Sequence, residues 1–398
     1  MLFDTDRHEP VLALRWDEER ARDAILRIVR NTEERFSPES LWPTHPMDAS
    51  KSAPQYALYW GACGVIWALR YLERQGAATL SRNYDSSILP LLAPNRAEMG
   101  QANSPAFGAY LMGDSGIQLL QFWVEPSAHT ASELSRLIRA NMDHPARELM
   151  WGSPGTLLAA LFMYRRTGEP RWAQMYQETA HLLWSQLDWS DDDGCHYWTQ
   201  EMYGQRSNYI DAVHGFVATA LPIIQGRDLL ELADWVSWRQ CIENTVRRTA
   251  EWEGNQVNWR AWLSTPRGRA KLMQYCHGAP GFVVCLADFP DDALDDLLLA
   301  GAEATWAAGP LRKGSNLCHG TGGNGYAFLK LYKRTGDSQW LERARAFAMH
   351  GIAQTDAATQ THGQMRYSLW TGDPGFAIFL WDCIRGGDRF PTMDIFFA

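Results

Sequence analysis

The sequence predicts an all-α fold, an α/α toroid in which seven inner helices stand inside a ring of outer ones, paired as outer–inner helical hairpins. Three observations predict it. A Gly-x-x-Gly motif that opens an apolar helix recurs along the chain. Amphipathic helical stretches lie between the copies. The chemically reactive residues fall at one phase of the repeat, just before its first glycine.

In chain order the copies are GACGVIWALRYL (Gly61, Gly64), GDSGIQLLQFWV (Gly113, Gly116) and GSPGTLLAALFMYRR (Gly152, Gly155). A degenerate copy, HGFVATALPII, has Gly215 but Ala218 in the second place. HGAPGFVVCLADF (Gly278, Gly281), HGTGGNGYAFLKLY (Gly320, Gly323) and TGDPGFAIFLWDCI (Gly372, Gly375) complete seven, at separations of 52, 39, 63, 63, 42 and 52 residues. Between them, WDEERARDAILRIVRNTEERF, PRWAQMYQETAHLLWSQLDW, LADWVSWRQCIENTVRRTAEWE and SQWLERARAFAMHGIA place apolar residues at i, i+3, i+4 and i+7. A helix that is apolar almost all round has to be buried, whereas an amphipathic one can face water. A stacked solenoid of helix pairs would alternate in the same way. A closed ring is favoured because it gathers the reactive helix starts. Glycine there permits sharp turns and close helix packing, and the helix starts are expected to bare N–H groups toward a shared hollow.

The length rule of roughly 150 residues per domain gives way to a repeat architecture. Residues 1–398 are expected to form one ring domain, with the N-terminal helix and loop of residues 1–55 packing on it. The stretch FSPESLWPTHPMDASKSAPQ reads as a loop, and a lid over the hollow is one role for it.

Lys and Arg number 37 against 46 Asp and Glu, a net charge of −9 with no long basic run, which argues against nucleic acid as a partner. The start, MLFDTDRHEPVLALRWDEER, lacks the basic and apolar regions of a signal peptide. No apolar stretch approaches the roughly 20 residues of a membrane span. Seven scattered cysteines fit reduced thiols or metal ligands better than a disulfide framework, and the expected location is the cytoplasm.

Cys276 and His277 open one inner helix, and Cys318 and His319 open the next. Thiolate and imidazole are favoured ligands of Zn²⁺, which takes four in a tetrahedron. Either all four bind and close the site, or Cys276, Cys318 and one histidine bind and leave a position for water or substrate. His214 comes at the matching phase of the fourth repeat, where it can exchange a proton near neutral pH, and Asp211 upstream is the candidate to orient it and a candidate substrate contact. Cys63, Cys241, Cys285 and Cys383 read as core, and Cys195–His196 as part of a turn.

These motifs resemble the LanC-like proteins, the lanthionine synthetase C cyclases and their stand-alone relatives. YCHGAPGF and LRKGSNLCHGTGGNGYAFLKLY are similar to the two zinc segments, and AVHGFVATALP to the histidine segment. YSLWTGDPGFAIFLWD with RFPTMDIF is similar to the last repeat and tail, so that the resemblance covers about residue 56 to the end. It implies an α/α toroid with a catalytic zinc held by Cys276, Cys318 and His319, His277 left as a rim residue, and an acid/base role for His214. It further implies Michael-type addition of a thiol to dehydroalanine or dehydrobutyrine. In the cyclases the thiol is a cysteine of the same peptide; in the stand-alone relatives it is glutathione. Lys313 corresponds to a basic position that resembles a glutathione contact, and Arg312 stands beside it. Thr371 departs from the pattern, since the relatives carry an acidic residue there, and the segment before it is shorter.

The leading reading is therefore a zinc enzyme adding glutathione to dehydroamino acids in peptides or proteins. A lanthipeptide cyclase is the runner-up, although the repeats and N-terminal helix use the whole length and leave none for a dehydratase. A zinc-stabilised protein that binds peptides or glutathione without turnover is a third reading. Carbohydrate chemistry would need a carboxylate pair at the rim, and Asp114 and Asp373 offer only a weak one.

Overall fold

Glycine caps each inner helix of the computed structural model, which describes residues 1–48, 55–99 and 105–398. The inner helices are α2 (Ala62–Arg74), α4 (Asp114–Val124), α6 (Ser153–Thr167), α8 (Phe216–Gln225), α10 (Ala279–Leu286), α12 (Thr321–Thr335) and α14 (Asp373–Arg385). The outer layer holds α1 (Glu18–Glu34), α3 (Leu92–Glu98), α5 (Ala128–Asn141), α7 (Pro170–Ser185), α9 (Leu232–Thr249), α11 (Asp295–Ala308) and α13 (Ser338–His362). Burial follows the two sequence patterns. Every residue of α10 is buried, whereas α1 buries one face through Ala21, Ala24, Ile25, Ile28 and Val29. Each such Ile or Val contributes about 1.5–3 kcal/mol on full burial. The outer partner of α2 is reduced to two single 3₁₀ turns and the seven-residue α3.

The ring closes, which excludes the stacked solenoid. Outer helix α1 packs on α14, so the first helix covers the last inner one. The residues two before the capping glycines are tied by backbone hydrogen bonds. Cys276 N–H donates to Cys318 O (3.0 Å), Cys318 N–H to Trp370 O (2.8 Å), Trp370 N–H to Tyr59 O (3.1 Å) and Tyr59 N–H to Leu111 O (3.0 Å). The Trp370–Tyr59 bond joins the last repeat to the first.

Close approach explains most of the glycines, because the capping residues other than Gly278 have ordinary extended backbone. A Cβ on Gly323 would stand 1.7 Å from Leu317 O, so the loop before α12 can lie on that helix only if the side chain is absent. Gly278 is different, with φ +122, a conformation L side chains rarely adopt.

Two expectations about the hollow fail. In α2, α8, α12 and α14 first-turn amides are not bared. They donate to carbonyls seven residues upstream, as Ala62 does to Gln55 (2.9 Å), Thr321 to Gly314 (2.8 Å) and Asp373 to Arg366 (2.9 Å). The inside is also filled by the C-terminal tail. Phe396 packs against Trp67 and Phe162, its carbonyl accepts from Trp67 Nε1 (3.0 Å), and Phe390 stacks on Tyr275 with centroids 4.3 Å apart. Aromatic pairs of this kind add about 0.5–1.5 kcal/mol beyond their burial.

Three antiparallel hairpins occupy the two 63-residue intervals, an addition to the all-helical expectation: β1 (Asp188–Ser190) with β2 (Cys195–Tyr197), β3 (Gln200–Met202) with β4 (Gln205–Ser207), and β5 (Glu251–Glu253) with β6 (Gln256–Asn258). The β3–β4 turn, Tyr203–Gly204, has positive φ at both residues, the geometry that matches strand twist in a two-residue loop. The loop before α2 is pinned as far as it is described. Arg366 forms a two-pronged ion pair with Asp48 (2.6 and 2.7 Å), and Gln364 Nε2 donates to Thr44 O (3.1 Å). Residues 49–54 of the suggested lid lie outside the described residues.

Candidate metal centre

The bond from Cys276 N–H to Cys318 O sets the two thiols side by side in the loops before α10 and α12. The ligand atoms of Cys276, Cys318 and His319 all lie within 4.8 Å of one another. Both cysteines are buried and His319 is partly open. The sulfurs receive further donors: Tyr59 Oη to Cys318 Sγ (2.8 Å) and Gln274 Nε2 to Cys276 Sγ (3.0 Å). A hydrogen bond from Cys276 pushes the Cys318 thiol well below its usual range; burial opposes the shift, and His319 and Tyr59 assist it. Two sulfurs and an imidazole fit the zinc donor set, and three protein ligands leave a fourth position. His277 is not in the group.

The histidines at the rim follow a rule of the repeat. In three repeats the residue four before the capping glycine turns its side chain back onto N–H groups that follow it. Glu148 accepts from Met150 (3.0 Å) and Trp151 (2.6 Å), Asp211 from Val213 (3.0 Å) and His214 (2.8 Å), and Asn316 from His319 (3.0 Å). The two carboxylates also reach the histidine just before the glycine of the next repeat. Glu148 Oε2 lies 2.8 Å from His214 Nδ1, and Asp211 Oδ2 lies 2.6 Å from His277 Nδ1. In the following repeat this position is Gln274, which is turned to Cys276, and His319 is left to the thiols.

This corrects the expectation for Asp211. Its carboxylate is fully buried and orients the backbone at His214 and the ring of His277 rather than the ring of His214. The His214 ring belongs to Glu148, which sequence reading missed. The signal was there: Glu148 stands four residues before Gly152, as Asp211 does before Gly215. Burial alone would lower the pKa of His214, but the Glu148 hydrogen bond and charge, with Asp211 and Cys318, raise it above its ordinary value. Tyr209 packs near both imidazoles, with centroids 5.3 Å from His214 and 6.1 Å from His277, and Trp262 lies 4.8 Å from Tyr209.

Lys313 is exposed five residues before Cys318, without a polar partner among the described residues. Arg312 is drawn to the N-terminal segment: its N–H donates to Arg7 O (3.0 Å) and its guanidinium lies 4.0 Å from Glu9. Thr371 is buried with its hydroxyl 2.8 Å from Ser368. Asp114 is paired with Arg96, and Asp373 accepts from the Arg366 N–H (2.8 Å), so each carboxylate has a local task. Cys195 is buried in β2, where burial pushes its thiol up to about 11.

Fold and site together define an α/α toroid with two thiols and an imidazole at the glycine end of its inner helices. The chain belongs to the lanthionine synthetase C-like protein family, whose model matches residues 15–395. It is 27% identical over 279 residues to a Danio rerio protein named glutathione S-transferase LANCL1, covering 62% of each chain. It is 34% identical over 150 residues to the Arabidopsis thaliana LanC-like protein GCL1, covering 35% of this chain and 34% of that one. The chain thus matches less than two thirds of the length of either relative. Nisin cyclase shares the fold, with a TM-score of 0.62 and 14% identity over 93% of this chain and 100% of that one. No helix among the described residues is long and apolar enough to cross a membrane.

Proposed function

We propose that the protein is a zinc-dependent enzyme that adds glutathione to dehydroalanine or dehydrobutyrine residues of peptides or proteins, forming a thioether. The observation that carries this reading is the convergence of Cys276, Cys318 and His319 at the same rim as His214, whose Nδ1 is held by Glu148 and whose pKa the Glu148 hydrogen bond and charge raise against burial. The relative named as a glutathione S-transferase supports the choice of thiol.

Cys276, Cys318 and His319 are the residues that would hold the zinc. Bound there, the ion supplies thiol activation, because coordination deprotonates a thiol whose free pKa is about 8.5. The incoming sulfur forms a bond to the β-carbon of the dehydroamino acid, and the π pair moves onto the α-carbon and carbonyl as an enolate. His214, with Nδ1 engaged by Glu148, has Nε2 left to deliver the proton that the α-carbon needs. Asp211 fixes the backbone N–H of His214 and the ring of His277, which holds the rim in one geometry. Lys313, exposed five residues before Cys318, is the candidate contact for a carboxylate of glutathione.

The test is to incubate the zinc-loaded protein with glutathione and a dehydroalanine peptide and to follow thioether by mass spectrometry. Formation in the wild type and its loss in Cys318→Ala are the expected results. Addition only to a cysteine of the same dehydrated peptide would make the protein a cyclase. Binding of glutathione and peptide without turnover would make it a binding protein.

A further inference from the structure

The opposite end of the ring holds a second concave site. A cavity of about 820 Å³ lies among the C-terminal ends of α6, α8 and α12, the loop after α14 and the tail. Along α12 alone, 15 residues carry the chain roughly 22 Å away from the metal end.

Its floor is the buried Lys330 ammonium, 2.8 Å from Asp394, 3.6 Å from Asp388 and 3.8 Å from Asp288. Its walls carry Arg165, Arg166, Arg227, Lys333 and Arg389. None of these five pairs with a carboxylate among the described residues, and Lys333 and Arg389 have no polar partner there at all. With Asp228, six cationic side chains face four carboxylates, a surplus of two positive charges in a chain of net charge −9. The dipoles of α6 and α12 favour cations at Arg165, Arg166 and Lys333. They do not account for Arg227 and Arg389, which lie outside those helices, nor for the gathering of unneutralised cations around one hollow, which costs energy unless an anion enters.

Two guanidiniums are preset. Arg165 donates to Gln225 O (2.7 Å) and Arg227 to Ile224 O (2.9 Å), which leaves their remaining N–H groups available. Gln225 Nε2 donates to Asp394 Oδ1 (2.7 Å) and Met393 O (3.3 Å), and its Oε1 is buried without a partner. The two guanidinium forks match the oxygens of phosphoryl groups.

We propose that this cavity binds a small phosphate-bearing anion carrying at least two negative charges. The site is independent of the metal centre and of the reaction proposed there. The test is isothermal titration of inorganic pyrophosphate into the metal-loaded full chain at about 0.15 M salt, with metal content measured afterwards. Saturable binding is expected, about tenfold or more weaker in the double variant Lys333→Ala/Arg389→Ala and unchanged in Lys313→Ala at the other end. Both substituted side chains are exposed and unpaired, so the variant keeps its fold. Absence of saturable binding, equal binding by the double variant or by sulfate, or heat that tracks metal release would each overturn the proposal. Loss of binding in Lys313→Ala would do so as well, by moving the anion to the metal face.

Discussion

The two ends of the ring treat charge in opposite ways. At the glycine end the ionisable groups of the site are partnered: Glu148 with His214, Asp211 with His277, Cys318 with Cys276 and Tyr59. At the other end one buried lysine serves three aspartates while five cations stand unpaired around them. The glycine end is tied by backbone hydrogen bonds from repeat to repeat, and the other is lined by the aromatic tail. The end that gathers two thiols and an imidazole is the end whose loops are tied to one another. An end that must admit a charged molecule keeps its charges free.

The comparison can be broken most forcefully at His214. His214→Asn is expected to lower thioether formation by about 10²–10⁴ with metal content unchanged. Full retained activity would remove the proton-donor role.

Asp382, near the opposite end, gives the next effect. Burial raises its pKa to about 7, against a hydrogen bond from Tyr326 (2.6 Å) that lowers it. The folded state therefore holds a proton there that the unfolded state has released above its ordinary 3.8. The resulting stability is present at low pH and is lost as pH rises through about 7. Asp382→Asn should flatten that slope and stabilise the protein at pH 8 by up to about 4 kcal/mol. Denaturant melts at pH 5 and pH 8 measure it, and an unchanged slope would show that the carboxyl is charged throughout.

Gly323→Ala comes third, at roughly 1–3 kcal/mol or more of destabilisation, because the new methyl meets Leu317 O beside Cys318. A melt together with metal content should show both falling. Stability lost with metal retained would uncouple the glycine packing from the thiols.

The smallest effect sharpens the repeat rule. Gln274→Glu places a carboxylate where Glu148 and Asp211 take the next imidazole, so it should compete for His319 and weaken metal affinity about 10–100-fold. Unchanged affinity in a chelator competition would mean that the side chain stays on Cys276.

Much of this was legible in the sequence. The seven glycine motifs gave the ring, and the shared phase of Cys276, Cys318, His319 and His214 gave the end at which they meet. Glu148 was hidden because its motif has Trp151 where the next three repeats have histidine, so nothing reactive drew attention to the carboxylate four residues before its glycine. Asp211 was given the wrong imidazole because nearness in sequence was taken for nearness in space; its partner lies 66 residues on, in the next repeat. The hairpins have three-residue strands, too short for an alternating pattern to show. The basic cavity draws its charges from four repeats and the tail, and no local window contains it.

The central claim is an open, thiol-activating metal site, and metal analysis of the wild type beside Cys276→Ala and Cys318→Ala tests it most directly. The account predicts about one zinc per chain, lost in both variants, with added glutathione contacting the metal in the wild type. Zinc that survives both substitutions, or zinc that no added thiol can reach, would contradict it.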